Sequence, residues 1–112
     1  MRGASLATLV LLAGLLLSAC VQYERRTPVF VVENATGAAL DVFSLPSAGG
    51  ETVRIGAADT GRSTLALGAV DDRGCALGRG YVTRAPDGRE TLPRRVCDGD
   101  TLTVRPEDLR RP

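Results

Sequence analysis

Asp98-Gly99-Asp100-Thr101-Leu102-Thr103-Val104-Arg105-Pro106 is the stretch that decides the fold of this 112-residue chain. Leu102 and Val104 alternate with Thr101, Thr103 and Arg105. That period of two puts the apolar side chains on one face of a strand. A Gly-containing acidic turn precedes the strand, and a proline ends it.

The same pattern recurs toward the N-terminus. Arg95-Val96-Cys97 and Glu90 to Leu92 read as short strands, with Pro93 marking an edge. Pro86-Asp87-Gly88 has turn chemistry. Tyr81 to Arg84 and Gly74 to Leu77 are strands on either side of Gly78-Arg79-Gly80, a bulge or tight bend. Further back come Thr64 to Leu67, the turn Asp59-Thr60-Gly61, and Val53-Arg54-Ile55 with Val53 and Ile55 sharing a face. Leu40 to Leu45 is broken by Pro46 and Gly49-Gly50. Val29 to Val32 is a continuous apolar run, expected to be buried on both faces, and Asn34 to Gly37 turns the chain.

Short strands with turn signals about every 8 to 12 residues predict an all-β fold, a small antiparallel β-sandwich of seven to eight strands. The expected domain is 28–106, followed by a polar tail over 107–112. Phe30 and Phe43 are candidate core residues. Tyr81 fits either the core or an exposed contact. The opening Val32-x-Asn34-x-Thr36-Gly37 and the closing Gly99-Asp100-Thr101-Leu102-Thr103-Val104 resemble small immunoglobulin-like or transthyretin-like modules. The tryptophan typical of antibody domains is absent.

Ahead of the domain, Met1-Arg2 supplies one positive charge. An uncharged apolar run follows over Leu6 to Leu17. The run is shorter than the roughly 20 residues of a membrane-spanning helix and has the length of a signal-peptide core. It ends on Leu17-Ser18-Ala19-Cys20. This tetrapeptide resembles the lipobox of bacterial lipoproteins, with Leu17, Ser18 and Ala19 as the signal peptidase recognition residues and Cys20 as the lipidation site.

The resemblance implies a cleaved signal helix over 1–19 and diacylglycerol on the Cys20 thiol, detectable as incorporated palmitate. It also implies an acylated amine and a lipidated tether over 20–27. Val21 stands where inner-membrane lipoproteins often carry aspartate, which favours the outer membrane in a Gram-negative envelope. An ordinary secretory signal or an uncleaved anchor are the alternatives.

Removing residues 1–19 leaves 93 residues carrying thirteen arginines against thirteen Asp and Glu. Zero side-chain charge lacks the basic footprint of a nucleic-acid binder, so no nucleic-acid partner is expected. The chain has no histidine, which removes the usual general base and commonest metal ligand. Of three cysteines, Cys75 and Cys97 remain once Cys20 carries lipid. In an oxidising compartment their first reading is a disulfide. A redox or metal-thiolate role lacks the C-x-x-C spacing.

Asp71-Asp72 and Asp98-Gly99-Asp100 are the tight carboxylate groups, read as turns because neither has the spacing of a calcium loop. Asn34-Ala35-Thr36 matches the N-glycosylation pattern but reads as a turn. Ser44, Ser47 and Ser63 have no histidine to activate them. Arg25-Arg26, Arg94-Arg95 and Arg110-Arg111 are basic doublets, the first placed to meet lipid headgroups.

No metal and no cofactor beyond the covalent lipid is expected. The expected function is a non-enzymatic binding or structural domain, membrane-anchored at the cell envelope, with a protein partner. An inhibitor or accessory subunit of an envelope enzyme is the alternative. A hydrolase using Asp71 or Asp72 is the enzymatic reading.

Overall fold

A computed structural model describes residues 27–47 and 50–112. The expected signal helix, Leu17, Ser18, Ala19, Cys20 and Arg25-Arg26 lie outside the described residues. Six strands form: β1 (Val29–Asn34), β2 (Leu40–Leu45), β3 (Val53–Ala58), β4 (Gly61–Ala66), β5 (Gly80–Arg84) and β6 (Thr101–Val104). They make two three-stranded sheets, in the orders β4-β1-β6 and β3-β2-β5. The described chain is mostly β, and its only helical element is a single 3-10 turn at Pro106–Asp108.

β1 is central in its sheet, yet it buries one face. Phe30, Val32 and Asn34 point inward, whereas Val29, Val31 and Glu33 do not. The expectation of burial on both faces is therefore corrected: the second sheet covers only one side of the first.

β1 pairs with β4 antiparallel and with β6 parallel, Val32 facing Leu102. The purely antiparallel sandwich is thus also corrected. Parallel neighbours need a long connection, and residues 35–100 supply it by building the rest of the domain between them.

The expected seventh and eighth strands do not form. Gly74 to Leu77, Glu90 to Leu92 and Arg95 to Cys97 make only isolated bridges, including Cys75 with Cys97 and Arg84 with Glu90. Gly74 and Gly78 adopt positive φ, and Pro93 has no N–H to give, so no continuous ladder can propagate through them.

β2 pairs with β3 and β5 antiparallel. Between β2 and β3 the register jumps from Val42↔Gly56 to Phe43↔Arg54, leaving Ile55 as an extra residue. Ile55 packs against the core while Val53 is exposed. This bulge separates the two side chains that simple alternation placed together.

Leu40 and Val42 take the inward positions of β2. By alternation Phe43 falls on the outer face. It is half-buried there beneath Arg84, whose guanidinium carbon lies 4.5 Å from the ring centroid. Phe43 is thus not a core residue. Tyr81 is: it is 2% exposed and stacks on Phe30 across the two sheets.

Residues beyond Pro106 belong to the fold rather than to a polar tail. Leu109 is buried in the core, and Glu90 and Arg110 exchange backbone hydrogen bonds at 2.7 and 2.8 Å. One apolar side chain is enough to dock the segment.

Candidate functional site

The turn at Pro86-Asp87-Gly88 reverses the chain after β5. Gly88 N–H donates to Ala85 O (2.9 Å), and Asp87 accepts from the Arg89 backbone and guanidinium. Residues 89–94 then return alongside β5 as a strap. Thr91 N–H donates to Thr83 O (3.0 Å), and Thr83 N–H donates to Thr91 Oγ1 (2.9 Å). Tyr81 and Arg94 exchange backbone bonds at 2.8 and 2.9 Å. Gly80 makes this approach possible: its φ is +106°, and a Cβ there would overlap the Arg94 carbonyl.

With its hydrogen bonds turned toward β5, the strap leaves the Leu92 side chain 61% exposed. Thr91, Leu92 and Arg110 border a cavity on each side of the strap. The inner one, about 140 Å³, runs along β6 past Leu102, Thr103 and Val104 and reaches Asp108. The outer one, about 330 Å³, is lined by Leu45, Val82, Pro93 and Arg111 among others.

The charges around this groove are unequal in freedom. Glu90 is held by Arg84 (2.7 Å), and Asp108 accepts from the Arg105 N–H (2.8 Å). Arg94, Arg110 and Arg111 make no ion pair among the described residues. The groove is therefore an apolar slot with a basic rim.

Asp71 and Asp72 line neither cavity. Asp71 organises its own loop. Its Oδ1 accepts from the backbone N–H groups of Arg73 (2.9 Å) and Cys75 (3.0 Å), and Oδ2 accepts from Arg95 Nη2 (2.7 Å). The Cys75 amide above all holds the carboxyl below its ordinary value of 3.8; desolvation opposes it, and the Arg73 amide and the Arg95 guanidinium add smaller lowering contributions.

Asp98 and Asp100 likewise tie backbone together. Asp98 Oδ1 accepts from Val29 N–H (2.9 Å) where the chain enters the domain, and Asp100 Oδ2 accepts from Cys97 N–H (2.8 Å). Among the described residues no group of three or more Cys, Asp or Glu is placed to hold a metal ion.

Cys75 and Cys97 form a disulfide. The flanking bonds Ala76 N–H to Val96 O (2.9 Å) and Asp98 N–H to Gly74 O (2.8 Å) make the two cysteines a non-hydrogen-bonded antiparallel pair, the arrangement that brings side chains closest.

Asn34 is 3% exposed. Its Nδ2 donates to Ala38 O (2.7 Å) and Ala58 O (3.0 Å), and its Oδ1 accepts from the Thr36 backbone and hydroxyl. Both amide protons are engaged, so Asn34 is a structural pin of the turn and not an accessible glycosylation site.

Alternation splits one basic doublet: Arg95 turns to Asp71, while Arg94 lines the inner cavity. Arg110 and Arg111 both line the outer one. Leu92 and Thr103 were not among the sequence candidates. The one local signal was Pro93, which marked an edge.

No protein-family model, no curated protein and no solved structure matches this chain.

Proposed function

We propose that this chain is a lipid-anchored envelope protein whose β-domain binds a protein partner without catalysing a reaction. The observation that carries the binding role is the slot along the open edge of β6, with exposed Leu92 on its wall and Arg94 and Arg110, neither of them in an ion pair among the described residues, at its rim. Exposed apolar side chains ringed by charge are a frequent mark of interaction sites. The pair of converging carboxylates that a hydrolase needs is not among its lining residues.

The anchor rests on Leu17-Ser18-Ala19-Cys20. Each buried methylene of an acyl chain contributes about 0.8 kcal/mol, and two or three chains hold a protein where one does not. The domain geometry suits a tether. Val29, Leu67 and Asp98–Asp100 cluster where the chain enters, as shown by Leu67 N–H to Pro28 O (2.9 Å) and Gly99 N–H to Val29 O (2.8 Å). β6 runs parallel to β1 away from that end, so the slot lies along the side of the domain and extends away from the tether. In layout we place the module with the small immunoglobulin-like and transthyretin-like sandwiches, which bind through loops and edges. An accessory subunit of an envelope enzyme would use the same edge.

Site-specific photocrosslinking in the native envelope tests this. A photoreactive residue replacing Leu92 is expected to give one adduct of defined mass that is absent when the residue replaces Thr64, on the opposite edge. Equal labelling from both positions, or none from Leu92, rules the binding role out.

A further inference from the structure

We propose that the slot takes an extended acidic peptide segment of the partner, which adds as a further strand beside β6; this rests on reading the slot as the binding surface. Three independent features converge on that occupant.

The first is unpaired backbone. β6 is the terminal strand of its sheet. The carbonyls of Asp100 and Val104 turn toward β1, where they accept from Val31 and Ala35 N–H at 2.9 and 2.8 Å. Alternate residues of a strand direct their N–H and C=O groups to opposite sides, so those of Thr101 and Thr103 point away from β1. The Asp108 carboxylate seals the next outward donor, Arg105 N–H, at 2.8 Å. Among the described residues no hydrogen bond joins the strap to the backbone of Thr101 or Thr103; Thr91 and Arg94 spend their amides on β5 and Pro93 has none. A short, defined stretch of edge is thus left open, the template used in strand addition.

The second is the slot itself. Its volume of about 140 Å³ between Leu92, Leu102 and Val104 matches the roughly 150 Å³ that accepts a benzene-sized group. It suits one apolar side chain of an added strand and is small beside the cavities of roughly 300–1,000 Å³ that enclose small ligands.

The third is charge. Arg94 and Arg110 flank the slot and Arg111 borders the cavity behind it. The rim acids Glu90 and Asp108 are already engaged. Carboxylates flanking the aliphatic residue along the added segment would meet these guanidiniums at the slot's rim. A free phosphate would answer the arginines but leave the β6 edge bare.

Fluorescence anisotropy on the detergent-solubilised full chain tests this, with a labelled hexapeptide of alternating Glu and Val as the probe. Saturable binding is expected, weakened at least tenfold by N-methylation of alternate peptide amides, by Thr103→Pro, and by Arg94→Glu combined with Arg110→Glu. Should Thr103→Pro fail to fold, the N-methylated peptide alone decides the backbone contribution. A hexapeptide of alternating Lys and Val is expected not to bind the unaltered chain. Absence of binding at millimolar peptide, indifference to N-methylation, or equal binding of the Lys peptide overturns strand addition by an acidic segment. If Leu92 still crosslinks to a partner while the acidic peptide fails, only this inference falls; loss of that crosslink removes the binding role itself.

Discussion

Phe30 on β1 and Tyr81 on β5 stack across the two sheets, with ring centroids 5.1 Å apart and planes inclined by 26°. They are the two buried aromatic rings of the described domain, and they join the sheet of β1 and β6 to the sheet that carries the strap. Arg94 exchanges both backbone bonds with Tyr81, so the groove wall is fixed directly to the core.

Truncating the two phenylalanines separates core from surface. Phe30→Ala removes a ring with no exposure and is expected to cost about 3–5 kcal/mol. Phe43→Ala removes a half-buried ring and one cation–π contact, and is expected to cost less than half as much. Equal losses in urea unfolding would contradict the placement of Phe43 on the outer face.

The Cys75–Cys97 bridge joins residues 22 positions apart. The chain-entropy treatment assigns such a loop about 3 kcal/mol, a large share of the stability of a small domain. The double replacement Cys75→Ser with Cys97→Ser is expected to lower Tm by more than 10 °C, roughly what about 3 kcal/mol implies for a domain of this size. An unchanged melting curve under reducing and non-reducing conditions would show that the bridge contributes nothing.

Asn34→Asp replaces the amide that donates to Ala38 O and Ala58 O with an acceptor. At neutral pH the introduced carboxylate faces two carbonyls inside the domain, and a loss of about 3 kcal/mol or more is expected. Acidification lets the introduced group carry a proton and donate once. The deficit relative to the unaltered chain is therefore expected to shrink from pH 7 to pH 5, measured by urea unfolding at each pH. A deficit independent of pH would contradict the hydrogen-bond geometry.

Asp71 and Asp87 have carboxyls held below the ordinary value of 3.8 in the folded chain, Asp71 mainly by the Cys75 amide and Asp87 mainly by the Arg89 amide. A depressed folded pKa means that the unfolded chain binds the proton more tightly. The stabilisation is then present above about pH 4 and lost as pH falls through the lower folded values. Stability should decline on acidification below pH 4, and Asp71→Asn should flatten that decline. An identical acid slope in the variant would remove Asp71 from the account.

How far the fold was legible depended on whether a signal was local. The strand Thr101 to Val104 and the turns at Asp59-Thr60, Pro86-Gly88 and Asp98-Asp100 follow from alternation and turn chemistry. The parallel pairing of β1 with β6 joins residues some seventy positions apart, and no local pattern encodes it. Phe43 shows a related limit: alternation gave it a face, but an aromatic in an apolar stretch looks like core until the facing sheet is known. Leu109 was masked by its polar neighbours.

The candidate site was the least legible part. Leu92, Thr103, Arg94 and Arg110 meet only because the strap folds back on β5 and the segment after Pro106 docks beside it. Of the carboxylates that stood out in the sequence and were read as turns, Asp71, Asp98 and Asp100 each accept from a backbone amide.

Metabolic labelling with palmitate tests the central claim, that the β-domain is displayed from a lipid on Cys20, most directly. The full chain expressed in a bacterial host should incorporate label and fractionate with membrane. Cys20→Ala should lose both label and membrane association, while Cys75→Ala with Cys97→Ala keeps the label. Label that persists in Cys20→Ala, or never appears in the unaltered chain, would contradict the account.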